Sequence, residues 1–387
     1  MADLALTIIR GGTAELESLR EEWLALLDDS PSDSAARSYS WCRAGWQLCS
    51  NDPSYSFRAL IVRRGNKMVA LWPLVAIRKR FLTEVRMLGS GGYEEYGGPI
   101  FDPNENRARI SELLAKGLEK LGDYLSLHNL PQTDQITIDL IIAGGLCQLD
   151  NDIIPVLYID FAEFNDFEGF LSSRSKALRT DAKYQSKRLE NVGATFGLIE
   201  GQDEIENALT WIIENKHSWV IDNKKNTDGV NGRWLMSISS LEFFKNASIG
   251  INKYNRVSVF SIRVKGEHIA AAICLIDQKM VEYYITTYDA NWGQFSPGKV
   301  LISKIAAWAF EHGRNFDFRI GATPYKQSWS NAERNVVSLS KSCTMLGMLP
   351  ILKLRAIKTL KKFRHAISGA LPSGVLDYIK ALEPRRS

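Results

Sequence analysis

Cysteine is sparse and scattered in this chain. The five present, Cys42, Cys49, Cys147, Cys274 and Cys343, are odd in number and never stand in C-x-x-C spacing. That argues against a thiolate zinc site and against a disulfide framework. The five histidines form no H-x-x-x-H pair, so the ligand spacing of a metal site is missing and no metal is expected. No apolar run approaches the ~20 residues that a bilayer span needs. The opening MADLALTIIRGGTAELESL shows neither the basic segment nor the cleavable apolar core of a secretory signal, and the expectation is a cytoplasmic protein. Neither sign of charge is in large excess: 48 Lys and Arg stand against 44 Asp and Glu, a net +4, which says little about partners.

What is present is globular chain. At 387 residues, 45% hydrophobic and 24% charged, it is too long for one ordinary domain and predicts two of roughly 150–200 residues. In the first half, TAELESLREEWLALLDD puts Leu16, Leu19, Trp23, Leu26 and Leu27 on one helical face, and the Trp-rich YSWCRAGWQLC reads as a second helix. FRALIVRRGNKMVALWPLVAIRK is two apolar runs around RGNK, a hairpin pattern. A further strand, the loop GSGGYEEYGG, the helix ENRARISELLAKGLEKL and a strand at DQITIDLII complete the half. The second half repeats the order. SIRVKGEHIAAAICL answers the first hairpin, then come MVEYYITTY, the loop DANWGQFSPG, the helix KVLISKIAAWAFEHG and a last strand. A shared order of this length predicts internal duplication. The expected fold is α/β with a mixed (α+β) sheet: one domain over 1–155, a second over 156–350, and a basic amphipathic tail over 351–387.

Several stretches of the second half carry chemistry. Ser296-Pro297-Gly298-Lys299 lies between a strand and a helix, where proline suits the first turn and glycine admits a ligand to the backbone. Open N–H groups, the helix dipole and Lys299 suit a pyrophosphate; an ordinary strand-to-helix turn is the bland alternative. In FDFRIGATPYKQSW, Phe316, Phe318 and Ile320 alternate with Asp317 and Arg319 as in a half-buried strand. The strand stops at Gly321 and delivers Tyr325-Lys326, with Trp329 beyond. KHSW puts His217 near Trp219 on a helix.

Hairpin, third antiparallel strand, loop, helix and parallel strand together resemble the core of the GNAT acyltransferase fold. Two such units in one chain resemble the Fem-type transferases. The S-P-G turn, the FDFRIGATPYKQSW block, KHSW, the basic helix SKALRTDAKYQSKRL and, in the first half, EEYGGPI resemble the CelD-like (BioF2-like) acyltransferases, over most of residues 10–345. That resemblance implies a V-shaped crevice with acyl-CoA, acetyl-CoA in the simplest case, held as co-substrate at Ser296, Pro297, Gly298 and Lys299. It implies Gly321 at the crevice mouth, where a side chain would obstruct the acyl group. Lys326 stands beside it, its stem packed by Tyr325 and Trp329 and its ammonium stabilising the oxyanion; a Lys326–Asp317 ion pair closing the loop is the alternative. Asp317 and His217 are the candidate bases, and Tyr284 and Tyr288 candidate walls. Glu95 and Tyr96 are candidate acceptor contacts in a first copy that has lost cofactor binding.

The implied activity is transfer of an acyl group from acyl-CoA to an amine or hydroxyl, with a saccharide of polysaccharide or envelope biosynthesis as acceptor and without nucleic acid. An aminoacyl-tRNA donor, as in Fem proteins, and a catalytically silent accessory protein of a polysaccharide synthase are the alternatives. Two basic stretches remain. Lys176, Arg179, Lys183 and Lys187 share a helical face, for phosphates or for solvent. LKLRAIKTLKKFRHAISGAL interleaves six Lys and Arg with Leu352, Leu354, Ile357 and Leu360. It suits an anionic membrane surface at the inner face, or packs on the protein.

Overall fold

The computed structural model describes residues 3–29, 35–89, 96–132, 135–144, 147–222, 238–249, 256–353 and 356. Glu95 and nearly all of the basic tail lie outside the described residues. The first half opens with β1 (Leu4–Gly11), α1 (Thr13–Ser18), α2 (Arg20–Asp29) and α3 (Tyr39–Cys49). The hairpin follows as β2 (Tyr55–Arg64) and β3 (Lys67–Arg78), with β4 (Thr83–Met87) antiparallel to β3. β3 also pairs with the short β5 (Ile100–Phe101) through Ala70 and Leu71, and with β4 from Leu74 onward. Pro73 sits between the two pairings, where a strand tolerates a missing N–H. α4 (Arg107–Leu118) then leads to β6 (Tyr124–Pro131), parallel to β4.

Here one expectation fails. From Gln135 onward DQITIDLII is not a strand but part of α5 (Gln135–Gly144), and the strand is β6, ahead of it. β-branched isoleucines favour strands only weakly. Packing of α5 on α4, with Leu140 fully buried in their shared core, overrides that preference. The crossover is itself a strand, β7 (Cys147–Ile159).

The second half runs α6 (Phe167–Ser173), α7 (Lys176–Asn191), β8 (Ala194–Leu198), α8 (Gln202–Asp222), α9 (Ile238–Ser248), β9 (Arg256–Val264), β10 (Glu267–Ile276) and β11 (Met280–Tyr288). It ends in α10 (Pro297–Glu311), β12 (Asn315–Ile320), α11 (Pro324–Trp329) and β13 (Ala332–Ser342). The strands form one 13-stranded sheet in the order β1-β2-β3-β4-β6-β13-β7-β12-β11-β10-β9-β8, with β5 on the side of β3. The order is a near-palindrome, as duplication requires.

The copies are interlocked. β7, which closes the first, pairs with β12 of the second; β13, which closes the second, pairs with β6 of the first. β7 and β13 also pair with each other. Each half thereby covers an edge that would otherwise be open to association. Residues 155 and 156, the expected boundary, both lie inside β7, and Pro155 faces Asn335 there. The helical layers interlock too. Trp41 of α3 is buried edge-on to Phe243 of α9 at 4.7 Å and to Tyr284 of β11 at 5.6 Å, and α3 shares a core with α8 and α9.

Candidate active site

β11 and β12 are parallel neighbours over three pairs only, Met280–Asn315, Val281–Phe316 and Glu282–Asp317. Beyond them the strands part. A bulge in β11 marks the parting: Cys274 of β10 faces Tyr283 and Ile273 faces Ile285, so Tyr284 is an extra residue. A bulge bends its strand and shifts the alternation of its side chains. Val281 and Tyr283 pack in the core beneath α10, whereas Tyr284 and Ile285 both pack in the core of α8 and α9. The expectation that Tyr284 lines the crevice is corrected by this bulge; Tyr283 takes that place.

The opening is a cleft of ≈ 740 Å³. β11 contributes Tyr283, Thr286, Thr287 and Tyr288, and the start of α10 contributes Ser296, Pro297, Gly298, Lys299 and Ile302. α7 closes one side with Leu178, Asp181 and Ala182, α11 adds Tyr325, Ser328 and Trp329, and α8 adds Lys216. Of the sequence-predicted residues, the S-P-G-K turn, Tyr288, Tyr325 and Trp329 therefore meet here.

Ser296 adopts the left-handed conformation (φ 48°) ahead of Pro297. The Lys299 and Val300 N–H groups turn back onto the Ser296 carbonyl at 3.0 and 3.3 Å. The Lys299 ammonium is joined to Asp181 Oδ2 at 2.5 Å, so that pair ties α10 to α7 across the cleft. A Cβ added at Gly298 would meet Tyr288 Cδ1 at 3.6 Å, an ordinary contact: the fold has room for it, and it would point into the cleft. Two polar groups stand deeper. Lys216 Nζ donates to the Thr286 carbonyl at 3.1 Å, and burial lowers its pKa. The Tyr283 hydroxyl donates to Thr286 Oγ1 at 2.6 Å, and burial pushes its pKa far above 10, so it is a neutral O–H donor at physiological pH.

The expected catalytic set does not assemble in the cleft. Lys326 is 8% exposed and turns inward, donating to the carbonyls of Ile320 at 2.7 Å and Arg319 at 3.3 Å. Burial depresses its pKa to about 8. Gly321 is explained differently as well: its φ is +93° and an added Cβ would meet nothing within 4 Å, so the backbone conformation, not the room, calls for glycine. His217 is half-buried on α8, one residue past Lys216, and does not line the cleft.

Asp317 faces the opposite side of the sheet, fully buried. Its carboxylate accepts from the Tyr96 hydroxyl at 3.0 Å, from Arg334 at 2.7 Å and from the Arg319 N–H at 2.5 Å. Arg319 has φ 64°, unusual for a residue with a side chain. Its guanidinium pairs with Glu282 and lies over the rings of Tyr96 at 4.4 Å and Tyr284 at 4.7 Å. Burial pushes the Glu282 carboxyl up to about 7, with Arg319 pulling it back, and Glu282 Oε1 is buried without a partner. Tyr96, expected as an acceptor contact, instead ties the first half to this charged layer behind the cleft.

Lys216 and Tyr283 were not singled out from sequence. KHSW contains Lys216, but periodicity gives no reason to prefer it to its histidine. The basic face of α7 is partly spent within the protein: Arg179 donates to the Ser172 carbonyl at 2.5 Å, and Lys183 pairs with Glu168.

Residues 176–327 match the family model of an acetyltransferase (GNAT) domain. In fold, the chain is similar to FemX (TM-score 0.57, 12% identity, covering 82% of this chain and 96% of FemX). It is also similar to the C-terminal domain of a putative lysylphosphatidylglycerol synthetase from Agrobacterium fabrum (TM-score 0.53, 11% identity, 88% and 96% coverage). L-PGS from Bacillus licheniformis matches as well (TM-score 0.53, 13% identity, 87% and 96% coverage). No curated protein matches the sequence.

Proposed function

We propose that the protein is an acyltransferase that moves an acyl group from an acyl-CoA thioester to an amine or hydroxyl, with the chemistry in the cleft where β11 leaves β12. The parting carries this reading. Past Glu282, β11 no longer pairs with β12, and the cleft lies along that edge, between it and the start of α10. A pantetheine arm has amides that pair with an open strand edge, and a helix start receives phosphates. Ser296, Gly298 and Lys299 would meet that end of the donor, with Asp181 yielding Lys299 to it.

The reaction needs a stabilised oxyanion and a protonated leaving group. The acceptor nitrogen or oxygen bonds to the thioester carbon, the carbonyl oxygen takes the negative charge, and collapse breaks the C–S bond. Of the two lysines that line the cleft, Lys216 brings its ammonium to that oxyanion, while Lys299 stands at the phosphate end. Tyr283, kept neutral by burial, donates a hydrogen bond to the departing thiolate, and the proton that the acceptor gives up to solvent balances the one that the thiolate takes from it. Lys326 is a positioning residue: it holds the two carbonyls at the end of β12, where Arg319 and Gly321 both have positive φ. We assign a saccharide as the acceptor class on the CelD-like resemblance. An aminoacyl ester of tRNA presents the same electrophilic carbonyl and is the competing donor.

The test is thiol release from acetyl-CoA and longer acyl-CoAs by the purified protein with amino-sugar and hydroxyl-sugar acceptors, beside a parallel aminoacyl-tRNA arm. Acceptor-dependent thiol release supports the reading. Turnover with aminoacyl-tRNA alone replaces the donor, and no turnover with either would leave a silent accessory protein.

A further inference from the structure

Past β13 the chain turns into an apolar ridge. Met345, Leu346, Met348, Leu349 and Leu352 are 88%, 49%, 50%, 51% and 53% exposed, a contiguous run of side chains that folding normally buries. The ridge is not a loose end. The Cys343 N–H donates to the Asp123 carbonyl at 2.8 Å, and the Thr344 hydroxyl to Asp123 Oδ1 at 2.7 Å. Gly347 approaches so closely that an added Cβ would stand 1.8 Å from the Asp123 carbonyl oxygen. The turn is clamped to the loop ahead of β6, and the clamp faces its apolar side chains outward.

The charge that the sequence places after the ridge has one sign. Asp123 spends its other carboxylate oxygen on the Thr83 N–H at 2.7 Å, and Glu119 is paired with Lys341 at 2.5 Å. The sequence contains no Asp or Glu between Glu333 and Asp377, while Lys353, Arg355, Lys358, Lys361, Lys362 and Arg364 follow the ridge directly. Among the described residues no helix is long and apolar enough to cross a membrane.

We infer that this ridge is a docking surface for an anionic lipid bilayer, and that the cations which the sequence places directly after it supply the attraction to anionic lipid. The five apolar side chains enter the headgroup layer and the cations meet lipid phosphates. Apolar side chains beside a run of cations match that surface on both counts. A second copy of the chain does not, because a two-fold contact on the ridge would bring Lys353, next to Leu352, toward its own copy. The placement also fits the cleft. β11 is parallel to β12, and β12 and β13 are both antiparallel to β7, so β11 and β13 run in one direction. The ridge follows the end of the sheet at which Tyr288 and the start of α10 open the cleft.

Co-sedimentation of the full chain with vesicles tests this without any acyl donor. Wild-type protein is expected to sediment with an equimolar phosphatidylglycerol–phosphatidylcholine mixture and to stay in solution with phosphatidylcholine alone. Replacing Met345, Leu346, Met348 and Leu349 together by Ser should weaken partitioning by about tenfold or more. Lys358→Gln/Lys361→Gln/Lys362→Gln, which leaves the clamped turn untouched, should weaken it by a similar factor. No sedimentation of wild type with the anionic vesicles would overturn the proposal. So would equal sedimentation of the folded ridge variant, or a wild-type dimer in the ultracentrifuge that the ridge variant abolishes.

Discussion

Lys216 and Lys326 divide between them what a single lysine was expected to do. Lys216 lines the cleft with a depressed pKa, while Lys326 braces β12 from within. Lys216→Ala should therefore cut kcat by about 10²–10³, the usual effect of losing one oxyanion donor, and leave the melting temperature nearly unchanged. Lys326→Ala should instead lower stability by about 1–3 kcal/mol, because it orphans the buried carbonyls of Arg319 and Ile320. Steady-state rates beside thermal melts of both variants check the division, and the reverse pattern would return Lys326 to the chemistry. Glu282 gives a pH signature. Its value of about 7 lies above the ordinary 4.5, so between those limits the folded protein holds a proton that the unfolded chain has lost. Stability must fall as pH rises through that window. Relative to Glu282→Gln, the wild type should lose on the order of 3 kcal/mol from its lower to its upper end, read as diverging melting temperatures. Little of this was legible beforehand. The sequence shows that Lys326 sits between Tyr325 and Trp329, but not that its stem turns inward beneath β12.

At the scale of the element, the second half was legible because its signals are local. A strand that ends in glycine, a Ser-Pro-Gly turn at a helix start and a paired hairpin can each be read from a few residues. The bulge at Tyr284 was not, because MVEYYITTY alternates as well without one; only pairing with β10 reveals the extra residue. DQITIDLII misled for a related reason, since its isoleucines suit a strand while burial against α4 decides for a helix. The two glycines near the cleft separate conformational need from space. Gly321→Ala should cost about 1–2 kcal/mol from its left-handed backbone. Gly298→Ala should cost almost nothing in stability, because the added methyl meets only Tyr288 at contact distance. Denaturant titration of the two variants reads this directly, and equal losses would contradict it.

The molecule as a whole is a duplicated unit whose copies have exchanged their last strands. The duplication was readable from element order, whereas the exchange was not, because nothing in the sequence of β7 or β13 says which neighbour each will take. Its consequence is mechanical. With one sheet through both halves, Trp41 packed into the core of the other half and Tyr96 bonded to Asp317, the halves share part of their cores. Calorimetry should show one unfolding transition, and Tyr96→Phe should lower it by about 1 kcal/mol while keeping it single; two resolved transitions would mean independent domains. The first half then serves as the wall behind the charged layer that fixes β11 and β12 where they part. Everything functional rests on that parting being an acyl-donor site. Titration of the wild-type protein and of Gly298→Val with acetyl-CoA and longer acyl-CoAs in a calorimeter tests it most directly. Saturable binding is expected for the wild type and at least about a tenfold loss for the variant, whose side chain fills the approach to the start of α10. Absence of binding by any acyl-CoA, or equal affinity of a folded Gly298→Val protein, would contradict it.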